Sequence, residues 1–96
     1  MKKWEYKIDI KQHLIEDGDF KSFAVAANNI AREFEKLPKS LFEDDYSIQD
    51  DLEYLSGCNE SDCEVYETLD DYTDEINYRI SCLYVFADDK RIWCSL

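Results

Sequence analysis

From Val65 to Ala87 an apolar residue recurs at every helical turn: Val65, Leu69, Tyr72, Ile76, Ile80, Leu83 and Ala87. This is the spacing of a helix that lays one face against a core. At 100° per residue the stripe centres about 160° away from Glu64, Glu67, Asp71, Asp74 and Glu75, so the carboxylates own the opposite face. The pattern predicts one helix over residues 61–87 or two nearly collinear ones, with Thr68 and Asp71, at capping-box spacing, marking the place of a break. Further along, Tyr78, Cys82, Val85 and Phe86 stand where the acids would continue. The second half of the segment is therefore expected to run through the core while the first half projects charge outward.

Trp4, Tyr6, Ile8 and Ile10 alternate with Glu5, Lys7 and Asp9, a period of two that predicts a strand with one wet face. Asp17-Gly18-Asp19 breaks the chain and offers Asp19 or Asp17 as a helix N-cap. Phe20, Phe23, Ala24, Ala27, Ile30, Ala31, Phe34 and Leu37 give an amphipathic helix, which Pro38 ends by disfavouring helical geometry at Leu37. Ser40 with Glu43 and Ser47 with Asp50 have capping-box spacing; the second introduces a short helix with Ile48, Leu52 and Leu55 on one face and Gly57 as its C-cap. Asp88-Asp89 closes the last helix, and residues 90–96 read as a short strand with Ile92 and Cys94 or Trp93 inward. Strands at the two ends of the chain find their simplest partner in each other. The expected fold is α+β, mostly helical, with about three helices and a small ribbon formed by the N- and C-terminal strands. Residues 1–96 are expected to form a single domain, since a core this small cannot be divided.

Between Ser40 and Tyr78 there are fourteen Asp and Glu residues and no Lys, Arg or His, whereas the other 57 residues hold eleven basic and nine acidic groups. The net charge of −12 is thus local. One-sided charge repels itself and weakens a compact state. If helical, the pairs Glu60/Glu64, Glu67/Asp71, Asp70/Asp74 and Asp71/Glu75 together cost about 1–2 kcal/mol. The helix macrodipole offsets this for Asp70 and Asp71 if the helix begins near Thr68, but not for the rest. Six carboxylates between Glu64 and Glu75 would occupy about 16 Å of helix, one per roughly 3 Å, near the phosphate spacing of about 3.4 Å along one DNA strand. Five of the seven tyrosines lie in the same stretch. Tyr66 falls beside the acid face, where Tyr serves well as an interface anchor, while Tyr72 is expected in the core. The candidate partner-binding set is Glu60, Glu64, Glu67, Asp70, Asp71, Asp74 and Glu75 with Tyr66, joined by Asp50, Asp51 and Glu53 on the preceding short helix.

Catalytic and cofactor chemistry has little to build on. The one histidine, His13, falls in a loop without an apparent partner, and adjacent acids such as Asp44/Asp45 or Asp70/Asp71 diverge by about 100° on a helix. With Gly18 and Gly57 the only glycines, no phosphate-binding loop can form. The acids around Asn59 and Ser61 lack the interior Gly and terminal Glu of a calcium loop, and the spacing of Cys58, Cys63, Cys82 and Cys94 does not suit zinc; buried, inert thiols are expected. Neither an enzyme, a metal site nor a cofactor is expected. The acids would repel phosphate, so direct nucleic-acid binding is not expected either. Charges right after Met1 leave no export signal, and the apolar run from Ile80 to Ala87 is too short for a span of roughly 20 residues; a cytoplasmic protein without membrane contact is expected.

A short chain with one carboxylate-coated helix, scattered tyrosines and no catalytic apparatus resembles the acidic anti-defence proteins of phages and mobile elements, the anti-CRISPR proteins and anti-restriction DNA mimics. The likeness covers Ser40 to Tyr78 in particular and lies in charge pattern and size, with no signature motif. It implies an inhibitor that occupies the basic nucleic-acid groove of a nuclease or CRISPR-type complex. The chain also looks like toxin-immunity proteins of the barstar and colicin-inhibitor kind, small, acidic and partly helical, which implies an antitoxin instead. An acidic adaptor with no enzymatic target is the third alternative, and monomer and homodimer both stay open.

Overall fold

In the computed structural model, which describes residues 4–95, five elements follow one another: β1 (Tyr6–Ile8), α1 (Phe20–Glu35), α2 (Tyr46–Gly57), α3 (Leu69–Asp89) and β2 (Ile92–Cys94). Short 3-10 turns lie at Lys11–His13, Lys39–Leu41 and Glu60–Glu64. The fold is α+β and mostly helical, with three helices and a two-stranded sheet made by the terminal strands, as the residue pattern predicted. Of the strand expected over residues 90–96, Ile92–Cys94 forms, and Leu96 lies outside the described residues.

Asp19 caps α1, its carboxylate accepting from the Ser22 amide at 2.8 Å and from the Ser22 hydroxyl at 2.7 Å. The predicted stripe is inside: Ala24, Ala27, Ile30, Ala31, Phe34 and Leu37 are buried, and Phe20 and Phe23 pack at the margin. For α2 the cap is Asp45, which accepts from the Ile48 amide at 3.1 Å, so the expected Ser47/Asp50 box is displaced and Ser47 already lies within the helix. Nor does the Ser40/Glu43 spacing make a cap; it falls at a 3-10 turn without one. Gly57 does not act as a left-handed C-cap either, because its φ is not positive. The α2 C-terminus is closed from outside: the Asn28 side chain on α1 donates to the carbonyls of Leu55 at 2.8 Å, Ser56 at 3.1 Å and Cys58 at 3.1 Å. A side chain from the neighbouring helix thus satisfies carbonyls that a helix end leaves without partners.

The long apolar stripe is interrupted where the second capping-box spacing stood. Thr68 caps α3 by accepting from the Asp71 amide at 3.1 Å, and the residues before it turn away from the helix axis. Val65 therefore leaves the stripe and stands exposed, whereas Tyr72, Ile76, Ile80, Leu83 and Ala87 are buried. The expectation that the second half of this helix is buried all round fails at Tyr78 and Val85, both exposed. The other two helices and the sheet cover α3 from one side, and among the described residues no further layer covers its outer face.

The strands pair in parallel, with Tyr6 opposite Ile92, Lys7 opposite Trp93 and Ile8 opposite Cys94. Arg91 turns the chain from α3 into β2 at φ 59°, the only non-glycine positive φ among the described residues, at a backbone cost of about 1–2 kcal/mol. Past β2, the Ser95 hydroxyl accepts from the amides of Ile10 and Lys11, each at 2.8 Å, and donates to the Asp9 carboxylate at 2.7 Å. Phe42 stacks on Phe86 and Phe20 on Tyr72, closing one continuous core under the helices.

Candidate functional site

Eight carboxylates of the candidate set reach solvent: Asp50 and Glu53 on α2, Glu60 and Glu64 on the 3-10 turn, Glu67 in the connection, and Asp70, Asp71 and Asp74 on α3. Among the described residues no ion pair reaches any of the eight. The row expected from Glu64 to Glu75 is not a single rigid one, since only Asp70, Asp71, Asp74 and Glu75 of its members share a helix. Asp70 and Asp71 occupy its first turn, where the macrodipole favours negative charge. Glu60/Glu64 and Glu67/Asp71 are not neighbours on an α-helix, and Glu75 is bonded to a base. Repulsion between i and i+4 shrinks to one uncompensated pair, Asp70/Asp74, at about 0.2–0.5 kcal/mol.

The base is Arg79, one residue past the base-free stretch. Its Nε donates to Glu75 at 2.9 Å, its Nη1 donates to Asp51 at 2.8 Å, and its guanidinium lies over the Tyr54 ring at 4.8 Å from the centroid. Asp51 is only 5% exposed and so is not a partner-binding group. The signal was in the sequence, because Asp51 stands at i+3 from Ile48 and i−4 from Leu55, on the buried side of α2. Glu75 and Arg79 likewise sit at the i, i+4 spacing of a helical ion pair. The Asp51 bond holds the Arg79 guanidinium above its ordinary basicity.

Behind this bridge, tyrosines bind the acidic turn to the helices. The Tyr54 and Tyr66 hydroxyls share a hydrogen bond of 2.7 Å, and the Tyr66 ring tilts against Tyr72 at 5.0 Å. Tyr66 is thus half-buried and engaged below the acids, where no spacing rule would have put it. The Tyr72 hydroxyl, in the core, donates to Asp62 at 2.7 Å, and the other side of the turn is closed by the Asn59 amide donating to the same carboxylate at 3.1 Å. An open cleft of about 500 Å³ follows, lined by Asp50, Glu53, Tyr54, Cys58, Asp62 and Arg79. Its carboxylates can receive a cationic side chain, and Arg79 is already spoken for by Asp51 and Glu75. Among the described residues no group of three or more His, Cys, Asp or Glu converges to hold a metal ion. His13 sits half-buried in the turn after β1.

Of the cysteines only Cys58 is buried, and Cys63, expected inside, is exposed because its 3-10 turn rides on the surface. Burial pushes the Cys94 thiol up to about 11 and raises the Cys58 thiol above its ordinary value. Burial likewise raises the phenols of Tyr54 and Tyr72. Each group is held neutral by the fold and ionises more easily in the unfolded chain. Their contribution is whole below the ordinary thiol value of 9.0 and is lost as pH rises through the folded values. Urea unfolding at pH 8, 9.5 and 11 should show falling stability, with a shallower fall in Cys94→Val; a flat profile in the parent protein would contradict this.

Comparison with protein-family models, curated proteins and solved structures returned no match to this chain.

Proposed function

We propose that the protein is a small acidic inhibitor that binds and blocks a basic nucleic-acid-binding surface of a nuclease or CRISPR-type defence complex by charge mimicry, meeting its target in the cytoplasm. The observation that carries this reading is the group of eight solvent-facing carboxylates that no ion pair among the described residues reaches. A surface kept for solubility alone needs no such separation of signs; interleaved Lys or Arg would keep solubility without the repulsion. The acids come from α2, the 3-10 turn and the first turns of α3, so the charge is presented as a field over one region, and phosphate-like spacing along a single axis is not required. Carboxylates meeting Lys and Arg would steer encounter and release counterions as phosphates do.

The test is capture from a nuclease-treated lysate on the immobilised protein, followed by competition with DNA and RNA oligonucleotides. The expected partner binds nucleic acid and is displaced by it. A variant carrying Glu64→Lys, Glu67→Lys and Asp74→Lys, which leaves the Arg79 bridge intact, should bind that partner at least a hundredfold more weakly with an unchanged circular-dichroism spectrum. Association of the parent protein should slow steeply between about 0.1 M and 1 M salt, as the Debye length falls from about 10 Å to about 3 Å. Capture of a partner that nucleic acid does not displace, or that tolerates the triple reversal, would overturn the proposal.

A further inference from the structure

The outer line of α3 changes chemistry along its length. Asp71 and Asp74 lead, Tyr78, Cys82 and Val85 follow at i, i+4 and i+7, and Asp89 ends the line. Tyr78 is 62% exposed and Val85 73%, with Cys82 half-exposed between them. Among the described residues no element covers this face, and its central line is apolar for two turns between charged ends. Contiguous exposed apolar side chains rimmed by charge have the anatomy of an interface core and its rim.

We infer that this line is the anchoring strip for a cationic amphipathic helix of the partner protein, one whose apolar face meets Tyr78, Cys82 and Val85 and whose Lys or Arg side chains at both ends meet Asp71 and Asp74 on one side and Asp89 on the other. Charge complementarity selects this occupant. A second copy of the chain and an anionic lipid surface would each be repelled by a protein of net charge −12. Distances fit, since Asp71 to Asp89 spans about 27 Å of helix and the apolar section about 10 Å of it. A helix laid along another is read through i, i+4 and i+7 anchors, the spacing found here. The inference rests on the proposed basic partner but assigns the contact to apolar anchors that charge mimicry does not require.

The probe is a synthetic helical peptide with Leu at i, i+4 and i+7 and two Lys beyond each end of the apolar section. Its controls are the same peptide with Glu for Lys, and a Lys-only helix with Ala for Leu. Labelled protein is titrated by NMR and by fluorescence anisotropy. The Lys-framed peptide should shift the amides from Tyr78 to Val85 and bind at least tenfold tighter than either control. Tyr78→Ser and Val85→Ser should each weaken it at least tenfold, and Val85→Leu should not. No shift on α3 at millimolar peptide, equal binding of the Ala control, or sedimentation as a dimer through this face each overturns the strip. A Lys-only helix that perturbs only Glu60 to Asp74 would overturn the strip while leaving the charge reading standing, so the two failures separate.

Discussion

Replacing Arg79 by Met should lower stability by about 2–3 kcal/mol. Met keeps an aliphatic side chain of similar length but removes the guanidinium over Tyr54 and leaves Asp51 charged, buried and without its counterion. Breaking a buried pair costs about 3–5 kcal/mol. The Arg79 side chain is 26% exposed, and screening by solvent moves the loss toward or below the lower end of that range. Adding Asp51→Leu to Arg79→Met should recover most of the loss, because an apolar pair of similar volume has no charge to desolvate. Urea unfolding of the four proteins in this cycle measures the coupling. A loss under about 0.5 kcal/mol for Arg79→Met alone would mean that water reaches Asp51 and that the bridge acts as an ordinary surface pair.

Tyr72 should be costlier still when truncated. Its ring is fully buried against Phe20 and Tyr66, so Tyr72→Ala is expected to lose about 3–5 kcal/mol through lost burial and the cavity left behind. Tyr72→Phe isolates the hydroxyl, which donates to a carboxylate, and should cost about 1.5 kcal/mol. The two variants should differ in where they act. Tyr72→Phe frees Asp62 and should speed amide exchange chiefly in residues 59–66, whereas Tyr72→Ala should loosen α1 and α3 as well. If Tyr72→Phe left exchange in the acidic turn unchanged, the Asn59 amide and water would be enough to hold Asp62, and the tyrosine would be a core residue only.

The elements that bury an apolar stripe were legible in the residues, because α1 and the central part of α3 repeat every three or four positions and cannot be satisfied otherwise. The two terminal strands were legible too, from alternation at one end and the lack of another partner at both. Three of the misjudged features have identifiable reasons. Val65 continues the helical period but lies before the Thr68 cap, and a cap outranks periodicity when both compete for one turn. Tyr78 and Val85 look like core by composition, but burial needs a covering layer, which hydrophobicity alone does not supply. Asp51 belonged to the acid count and yet faces inward, as its distance from Ile48 and Leu55 already implied. The Tyr54–Tyr66 bond and the Asn28 closure of α2 had no local signal, since both join groups well apart in sequence.

The parallel pairing of β1 with β2 has a kinetic side. Tyr6 lies opposite Ile92, so the first strand has no mate until nearly every other described residue has been made. An antiparallel hairpin closes a loop of a few residues, but here the closure spans the whole helical body. By chain statistics each doubling of a loop costs only about 0.6 kcal/mol, so the equilibrium penalty is modest. The delay is not modest, because contacts distant in sequence form late and slowly. During synthesis the helices can pack first, leaving Ile8 and Ile10 to dock only when the Ser95 hydroxyl arrives to take up the Ile10 and Lys11 amides. The emergence of Ile92 to Ser95 is then what locks Tyr6 to Lys11 in place.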